Sequence, residues 1–296
     1  MATRVLDEPP SLGSLYLRVA LRSLAGLAWV PARRQPDEAL PATTLELHGL
    51  SIDAEHLRRY RQICGFEPGV GVPSTYPHVL AFPLNLALMT ERGFPLSVVG
   101  AVHVENTIEQ FRALTIDSVF DLATWATELR PHHRGRTVTT VSEARVEGQV
   151  VWRNESVFLS RDKGAGDSLG ARADVRPDVP AVAPAGPMEW RLDAELGRRY
   201  AAVSGDRNPI HLYAVTAKAF GFKAQIAHGM WTKARSLAAL SHRLPSAYRV
   251  VVAFKKPVSL PTTVRLGARE SGSVIDFGLT SARCGAPHLI GRVTRL

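Results

Sequence analysis

The stretch Asp193-Ala-Glu-Leu-Gly-Arg-Arg-Tyr-Ala-Ala-Val-Ser-Gly-Asp206 decides the fold, because a related stretch occurs earlier in the chain. Asp53-Ala-Glu-His-Leu-Arg-Arg-Tyr-Arg-Gln-Ile-Cys-Gly-Phe66 aligns with it without a gap at an offset of 140 residues, and seven of the fourteen positions are identical. The offset is nearly half of the 296-residue chain. Self-similarity at such a distance indicates a duplicated structural unit. We therefore predict two tandem copies of one fold.

Further segments occur in the same order in both halves. A short alternating segment precedes each repeated stretch, at Thr43–His48 and Glu189–Leu192, and an apolar helix candidate follows it, at Val79–Thr90 and Gly229–His242. Alternation between turn residues predicts further strands at Val138–Val146, Val150–Ser160, Tyr248–Lys255, Thr263–Arg269, Val274–Thr280 and His288–Thr294. An antiparallel sheet can bury one face on a helix, so the pattern predicts an α+β protein.

Composition divides the chain into four predicted parts. Residues 1–36 form an N-terminal extension, in which Leu12–Val30 predicts an amphipathic helix that packs on the protein's own surface or rests on a membrane. Arg18 and Arg22 interrupt its apolar run, so no membrane-spanning segment is expected. The first copy covers 37–161 and the second 188–296. Residues 162–187 are rich in Gly, Ala, Pro and Asp and predict an exposed linker.

The formal net charge of +9 predicts an anionic partner, such as a phosphate-bearing small molecule, an acidic protein or a membrane surface. The alternative is a solvated surface with excess arginine. Nucleic acid is not expected, because the arginines are scattered and no helix-turn-helix or zinc pattern occurs. Cys64 and Cys284 lie far apart in the sequence and lack the spacing of metal ligands. A disulfide framework is therefore not expected, and a reducing cytoplasm is the expected compartment.

The second copy carries a candidate site between Tyr200 and Leu212. Asp206, Asn208 and His211 place a carboxylate, an amide and an imidazole within six residues, and the flanking glycine and proline predict a tight turn. A carboxylate beside an imidazole suits proton transfer near neutral pH. The alternative is that Asp206 and Asn208 cap the next helix and that His211 is a surface histidine.

The motif Tyr-x-x-x-Ser-Gly-Asp-x-Asn-Pro-x-His, followed by Ile226-Ala-His-Gly-Met230, resembles the hydratase-2 motif of the MaoC-like (R)-specific enoyl-thioester hydratases and dehydratases. The resemblance implies a hot-dog fold, in which a curved antiparallel sheet wraps a long central helix. The duplication implies the double hot-dog form, a single-chain pseudo-dimer that acts as a monomer or pairs again as a homodimer. The pattern is most similar to the (3R)-hydroxyacyl-thioester dehydratases of actinobacterial fatty-acid elongation.

This resemblance implies a hydro-lyase of fatty-acid metabolism that acts on acyl-CoA or acyl carrier protein substrates without a metal or organic cofactor. Asp206 and His211 would be the catalytic pair, with Asn208 supporting their geometry. The backbone N–H of Gly229 would receive the thioester carbonyl oxygen. The chemistry agrees, because charge builds on that oxygen as the C2 proton leaves and a helix N-terminus offers free N–H groups. Which of Asp206 and His211 is the acid stays open.

The first copy departs from the motif. At the 140-residue offset Phe66, Pro68 and Gly71 replace Asp206, Asn208 and His211, and Phe82-Pro83 falls roughly where His228-Gly229 does. We therefore expect one active site per chain and hypothesise that the first copy shapes an apolar channel for the acyl chain. Ordinary core packing is the alternative. The channel candidates are Leu80, Phe82, Leu84, Leu86, Leu88 and Met89.

Five basic or imidazole positions are also candidates for the predicted site. His228 is interpreted as a supporting or substrate-contacting histidine rather than a metal ligand, because no third ligand with suitable spacing appears. Lys255 and Lys256 are candidates for the phosphates of coenzyme A, or else belong to a solvated strand edge. The same two alternatives apply to Lys233 and Arg235.

Two other functions remain open at this point. A hot-dog acyl thioesterase would cleave the thioester instead of adding water to the double bond. A non-catalytic acyl-carrier-binding subunit would bind without turnover, although the intact Asp206, Asn208 and His211 argue against it.

Overall fold

The computed structural model describes residues 2–24, 40–69, 71–161 and 178–296, and their strands form one continuous sheet. The strands are β1 (Ala2–Leu6), β2 (Thr43–Leu50), β3 (Val102–Gln110), β4 (Phe120–His132), β5 (Gly135–Val146), β6 (Gln149–Arg161), β7 (Met188–Leu192), β8 (Tyr248–Phe254), β9 (Thr262–Ser271), β10 (Val274–Ser281) and β11 (Pro287–Arg295). The helices are α1 (Leu12–Leu24), α2 (Ala54–Cys64), α3 (Tyr76–Met89), α4 (Leu196–Ser204), α5 (Pro209–Leu212), α6 (Ala214–Ala219) and α7 (Gly229–Ala239).

The order of strands across the sheet is β1-β2-β4-β5-β6-β3-β8-β11-β10-β9-β7. Leave out β1 and number the strands of each half in chain order. Read from the outer edge of the sheet inwards, both halves then have the order first, third, fourth, fifth and second strand. The halves meet where β3 pairs antiparallel with β8, with Glu105 opposite Ala253 and Gln110 opposite Tyr248. The predicted tandem hot-dog fold is therefore confirmed, and the two copies share one sheet.

The repeated stretch forms α2 in the first half and α4 in the second. Both helices end at the glycine that the repeat has in common, Gly65 with φ 77° and Gly205 with φ 75°. Glycine adopts this left-handed conformation at little cost and often terminates helices. The shared glycine therefore ends the helix at the same point in both halves.

The central helices α3 and α7 lie against the sheet and form much of the core. Leu84 and Leu88 of α3 and Ala234 of α7 are fully buried. The alignment of Phe82-Pro83 with His228-Gly229 is wrong. Helix α3 begins at Tyr76, so Thr75-Tyr76 occupies the place that His228-Gly229 has before and at the start of α7.

Every strand predicted from alternation is present, with ends shifted by a few residues at most. Strands β1, β3 and β4 lack a prediction. The reason is clear for β3, because its buried face carries Asn106 and Gln110 beside Ile108. Hydrogen bonds make this possible: Asn106 donates to Asn154 Oδ1 (2.7 Å) and Gln110 to the backbone oxygen of Ser246 (3.0 Å). Buried polar groups that are paired in this way remove the hydrophobic alternation from the sequence.

Lys233 contradicts both of its predicted roles, because its side chain is fully buried. Its Nζ donates to Asn106 Oδ1 (2.5 Å) and to the backbone oxygen of Val250 (3.2 Å). These bonds join α7 to β3 and β8 where the two halves meet. Burial lowers the pKa of Lys233 well below its ordinary value. Arg235, by contrast, lies over the ring of Trp190 at 4.6 Å.

Helix α1 packs on the protein's own surface through Leu15, which is buried. Residues 25–36 of the predicted extension and 162–177 of the predicted linker lie outside the described residues. The predicted boundaries of the four parts stay predictions. No helix among the described residues is long and apolar enough to cross a membrane. Cys64 and Cys284 are both free thiols.

Candidate active site

The turn after α4 fixes the carboxylate of Asp206. The backbone N–H of Asn208 donates to Asp206 Oδ1 (3.1 Å), and the backbone N–H of Asp206 donates to Ser204 Oγ (3.2 Å). Asp206 is thus held by its own loop through one carboxylate oxygen. The other oxygen, Oδ2, lies 3.9 Å from Nε2 of His228. About 30% of the Asp206 side chain is exposed, so this carboxylate faces open space.

His211 follows within α5, a short helix that Pro209 opens, as is favourable for proline at a first helical position. Its Nδ1 lies 2.8 Å from the backbone oxygen of Ile226. Because a carbonyl oxygen only accepts, Nδ1 carries the proton and Nε2 of the neutral ring has a lone pair. Burial lowers the pKa of His211, against the opposing effects of Asp206 and of the Ile226 bond. The ring is therefore neutral near pH 7 and can accept a proton.

His228 immediately precedes α7 and is buried. Its Nε2 donates to the backbone oxygen of Asp206 (2.9 Å), and its ring stacks on that of His211 with centroids 3.7 Å apart. Burial, and next the neighbouring His211, lowers the pKa of His228 to about 3. His228 therefore joins the Asp206 loop to the start of α7 as a neutral ring.

A carboxylate oxygen of Asp206 and one ring nitrogen each of His211 and His228 lie within 4.8 Å of one another. The structure thus brings together three groups that the sequence separates by up to twenty-two positions. The interpretation of His211 as a surface histidine is wrong, since it is buried. Asn208 occupies the cap position of α5, but its side chain makes no capping bond and donates instead to the backbone oxygen of Ala101 (3.3 Å).

Asp206 converges with His211 and His228 as a third ligand-capable group, although its sequence spacing does not suggest a metal site. Imidazole binds a metal through a lone pair in the ring plane at about 2 Å. The rings of His211 and His228 are 3.7 Å apart and inclined by 24°, so their planes meet far beyond that distance. One ion cannot lie in both planes at bonding distance, and this cluster does not fit a metal.

Gly229 is the first residue of α7. The first N–H groups of a helix have no partner inside it, and they lie at the positive end of the helix dipole. A Cβ on this residue would come within 3.0 Å of the Phe254 ring, so a side chain here meets the neighbouring strand. The start of α7 therefore offers an accessible donor beside the two histidines.

A cavity of about 1750 Å³ connects these groups and is lined by both halves of the chain. Phe82, Leu86 and Met89 of α3 face it, opposite Asp206, Asn208, His211, His228 and Gly229. The other channel candidates, Leu80, Leu84 and Leu88, do not line it. Lys255 and Lys256 line the cavity and are exposed at the end of β8.

Two residues that support the site in the second half lie outside the sequence motif and were therefore not predicted. Tyr16 of α1 accepts a hydrogen bond from the backbone N–H of Arg207 (2.7 Å) and donates to the backbone oxygen of Gly205 (3.1 Å). It therefore holds the Asp206 loop from both sides. A Cβ on Gly197 of α4 would lie 2.0 Å from the backbone oxygen of His211, so only glycine allows this approach. The repeat does give one hint, because Leu57 occupies the matching position of the first half.

The corresponding place in the first half is closed by packing. Phe66 is buried and stacks near the ring of Tyr60, with centroids 6.3 Å apart. The hydroxyl of Tyr60 donates to Thr75 Oγ1 (2.7 Å) before the start of α3. Aromatic packing thus replaces the carboxylate and imidazole of the second half.

Comparisons with known proteins agree with this geometry. Residues 183–283 match the MaoC like domain family. Over 291 residues the chain is 36% identical to 3-hydroxyacyl-thioester dehydratase X of Mycobacterium tuberculosis, which covers 98% of this chain and 100% of that protein. The crystal structure of HtdX from the same organism has a TM-score of 0.75 at 36% identity and covers 86% of this chain and 100% of that one. The crystal structure of a MaoC-like dehydratase from Phytophthora capsici has a TM-score of 0.72 at 18% identity. The match covers 89% of this chain and 98% of that one, and it shows the fold alone.

The chain belongs to the MaoC-like dehydratase family. It is a hydro-lyase with the tandem hot-dog fold, and the family and enzyme class predicted from the motif are confirmed.

Stability is expected to fall in acid because of the buried histidines. The pKa of His228 is lowered from 6.5 to about 3, so below pH 6.5 the unfolded chain binds a proton that the folded chain does not. This contribution is fully present above pH 6.5 and is lost as the pH falls towards 3. In His228→Phe the slope of unfolding free energy against pH should be shallower by up to about 1.4 kcal/mol per pH unit.

Denaturant unfolding at several pH values between 6.5 and 4 measures this slope. His242→Phe, at an exposed position, is the matched control and should keep a slope close to wild type. Equal slopes for His228→Phe and the wild type would contradict the neutral, buried state of His228.

Proposed function

We propose that this hydro-lyase catalyses the reversible dehydration of (3R)-hydroxyacyl thioesters to trans-2-enoyl thioesters in fatty-acid metabolism. Asp206 and His211 are its acid–base pair. The observation that carries the proposal is the convergence of Asp206, His211 and the first residue of α7 on one cavity, with the titratable groups within 4.8 Å.

The separation of Asp206 and His211 suits one water molecule hydrogen-bonded to both. During hydration the water oxygen bonds to C3, the pair takes up a water proton, and a proton passes from the pair to C2. Dehydration reverses each transfer, so the pair ends as it began. Because Nδ1 of His211 donates to Ile226, Nε2 is the ring atom available for proton transfer. Positioned acid–base groups of this kind accelerate reactions by roughly 10²–10⁴-fold.

The N–H of Gly229 receives the thioester oxygen, where negative charge develops when the bond from C2 to its proton breaks. The donor belongs to a helix whose positive end faces the same cavity. His228 and Asn208 act indirectly: one joins the Asp206 loop to this helix, and the other ties the loop to the first half at Ala101.

The substrate is carried on coenzyme A or acyl carrier protein, both of which are anionic. The net charge of +9 and the exposed Lys255 and Lys256 at the cavity support this. The acyl chain lies along Phe82, Leu86 and Met89 of the first half, and the chain works as an internal pseudo-dimer, alone or paired again. Its free thiols fit a reducing cytoplasm.

Replacing either member of the pair should abolish turnover. Asp206→Asn and His211→Ala are each expected to lower kcat for hydration of a trans-2-enoyl-CoA by roughly 10²–10⁴-fold, while the protein stays folded. Absorbance of the conjugated thioester follows the reaction, and a free-thiol assay separates it from thioester cleavage. Asp117→Asn and His242→Ala, both at exposed positions, are matched controls. Turnover near wild type in either site variant would refute the assignment, and thiol release without hydration would indicate a thioesterase.

The role of the Gly229 N–H can be isolated with two substitutions that both place a Cβ against Phe254. Gly229→Ala keeps the donor and Gly229→Pro removes it. Proline fits the first helical position, and His228 already has the extended ψ of 137° that proline requires before it. Gly229→Pro should have a kcat roughly 10²–10³-fold below that of Gly229→Ala. Similar kcat values in the two variants would place the thioester oxygen elsewhere.

Tyr16 is proposed as a positioning residue, because its hydroxyl holds the backbone on both sides of Asp206. Tyr16→Phe should lower kcat about tenfold, by loss of hydrogen bonds worth roughly 1 kcal/mol each, with a smaller change in KM. The exposed Tyr213→Phe is the control. A purely structural role would lower the melting temperature and leave kcat of the folded enzyme unchanged.

A further inference from the structure

One wall of the cavity is polar, although the first half lacks the catalytic motif. His78 and Asn85 of α3 and His103 of β3 line the same cavity as Asp206 and His211. His78 and Asn85 are only 8% and 4% exposed. The His103 ring lies 5.1 Å from that of Phe254, which is the ring next to Gly229. This polar wall, made of His78, Asn85 and His103, therefore begins beside the start of α7.

Each residue of the polar wall has a buried atom without a hydrogen-bond partner among the described residues. These atoms are His78 Nδ1, Asn85 Oδ1 and His103 Nε2. Buried polar atoms in folded proteins are nearly always paired, and an unpaired one is costly. Three such atoms in one cavity wall therefore indicate a place where a ligand supplies the missing partner.

All three free atoms are hydrogen-bond acceptors. Asn85 Nδ2 donates to the backbone oxygen of Ala81 (3.0 Å) and to Ser142 Oγ (3.0 Å), which leaves Oδ1 directed elsewhere. His78 forms a hydrogen bond with the Asn154 side chain, and His103 forms one with the Glu105 backbone. Each bond favours a proton on the ring nitrogen that takes part in it.

The two rings of the polar wall are neutral. Burial, and next Lys233, lowers the pKa of His78 to about 4; burial, and next His78, lowers the pKa of His103 well below its ordinary value. The nitrogen of each ring that is already bonded carries the proton. The remaining nitrogen therefore has a lone pair and needs a donor.

The missing donor is neutral and belongs to the inner part of the substrate. The positive charge that Lys233 can carry disfavours a cation here, since it already disfavours protonation of His78. The carrier must leave the cavity towards solvent, whereas His78 and Asn85 are more than nine-tenths buried. The acyl chain, and not the pantetheine arm, therefore reaches this wall.

We infer that the polar wall binds a hydroxyl group on the acyl chain, beyond the reacting C2 and C3 atoms. The enzyme thus selects hydroxylated acyl thioesters over unsubstituted ones of the same length. This inference rests on the proposed function, because it names the substrate class of the same active site.

A series of trans-2-enoyl-CoA thioesters of one chain length tests this selectivity. The series contains the unsubstituted parent, isomers with one hydroxyl at successive carbons beyond C3, and the methyl ether of the preferred isomer. We expect one isomer to exceed the parent about tenfold in kcat/KM, as one added hydrogen bond allows. The methyl ether cannot donate and should lose this preference.

The variants are judged by the ratio of kcat/KM for the preferred isomer to that for the parent. Because both substrates are measured on one preparation, the folded fraction cancels from the ratio. Asn85→Leu keeps a similar shape, and His103→Phe keeps the stacking on Phe158 and the tilted ring contact with Phe254. Since one hydroxyl donates one proton, the variant that removes its acceptor should reduce the ratio towards one. Leu88→Met, on the same helix but outside the cavity lining, changes only core packing and should keep the ratio.

Three results would overturn the inference: no isomer preferred by the wild type, a preference that survives both acceptor variants, or equal preference for the methyl ether. Equal losses on all thioesters in the variants would assign the wall to the pantetheine arm and would also overturn it. Failure of the wild type to hydrate any thioester would instead refute the proposed function.

Discussion

The antiparallel pairing of β3 with β8 is the constraint on which the molecule depends. It joins two copies of one fold edge to edge, so that α3 of the first copy faces the loop after α4 of the second. The buried Lys233 reinforces this junction from α7 through Asn106 and Val250. A cavity bounded by both halves follows, and neither copy could enclose it alone.

Within that frame the site is held by backbone atoms more than by side-chain pairs. Ile226 fixes the tautomer of His211, the Asp206 carbonyl fixes His228, and Tyr16 holds the peptide groups around Asp206. Such bonds set the direction of each ring nitrogen without adding charge to a buried place. The imidazoles therefore stay neutral and available for proton transfer, while the only carboxylate of the cluster is the partly exposed Asp206.

The two halves keep one architecture and differ in what fills the equivalent place. Phe66 and the bond from Tyr60 to Thr75 close it in the first half, where the second has Asp206, His211 and a glycine approach at Gly197. The first half contributes instead the wall of the cavity, apolar at Phe82 and Leu86 and polar at His78, Asn85 and His103. Under the proposed mechanism, duplication has thus separated proton transfer in the second half from the surface that recognises the substrate in the first.

The sequence alone determined the repeat and the glycine that ends both repeated helices. It also determined the strands with clean alternation and the motif that carries Asp206, Asn208 and His211. Each of these features is a pattern of residue types within one short stretch, so it can be read without knowing any long-range contact. The sequence could not reveal β3, whose buried face is polar, or the start of α3, which the comparison of the two halves misplaced. Only tertiary structure placed His228 on His211, buried Lys233 and brought Tyr16 to a loop almost two hundred residues away. Those outcomes depend on packing between distant segments, where burial and backbone hydrogen bonds, not local periodicity, decide what each residue contacts.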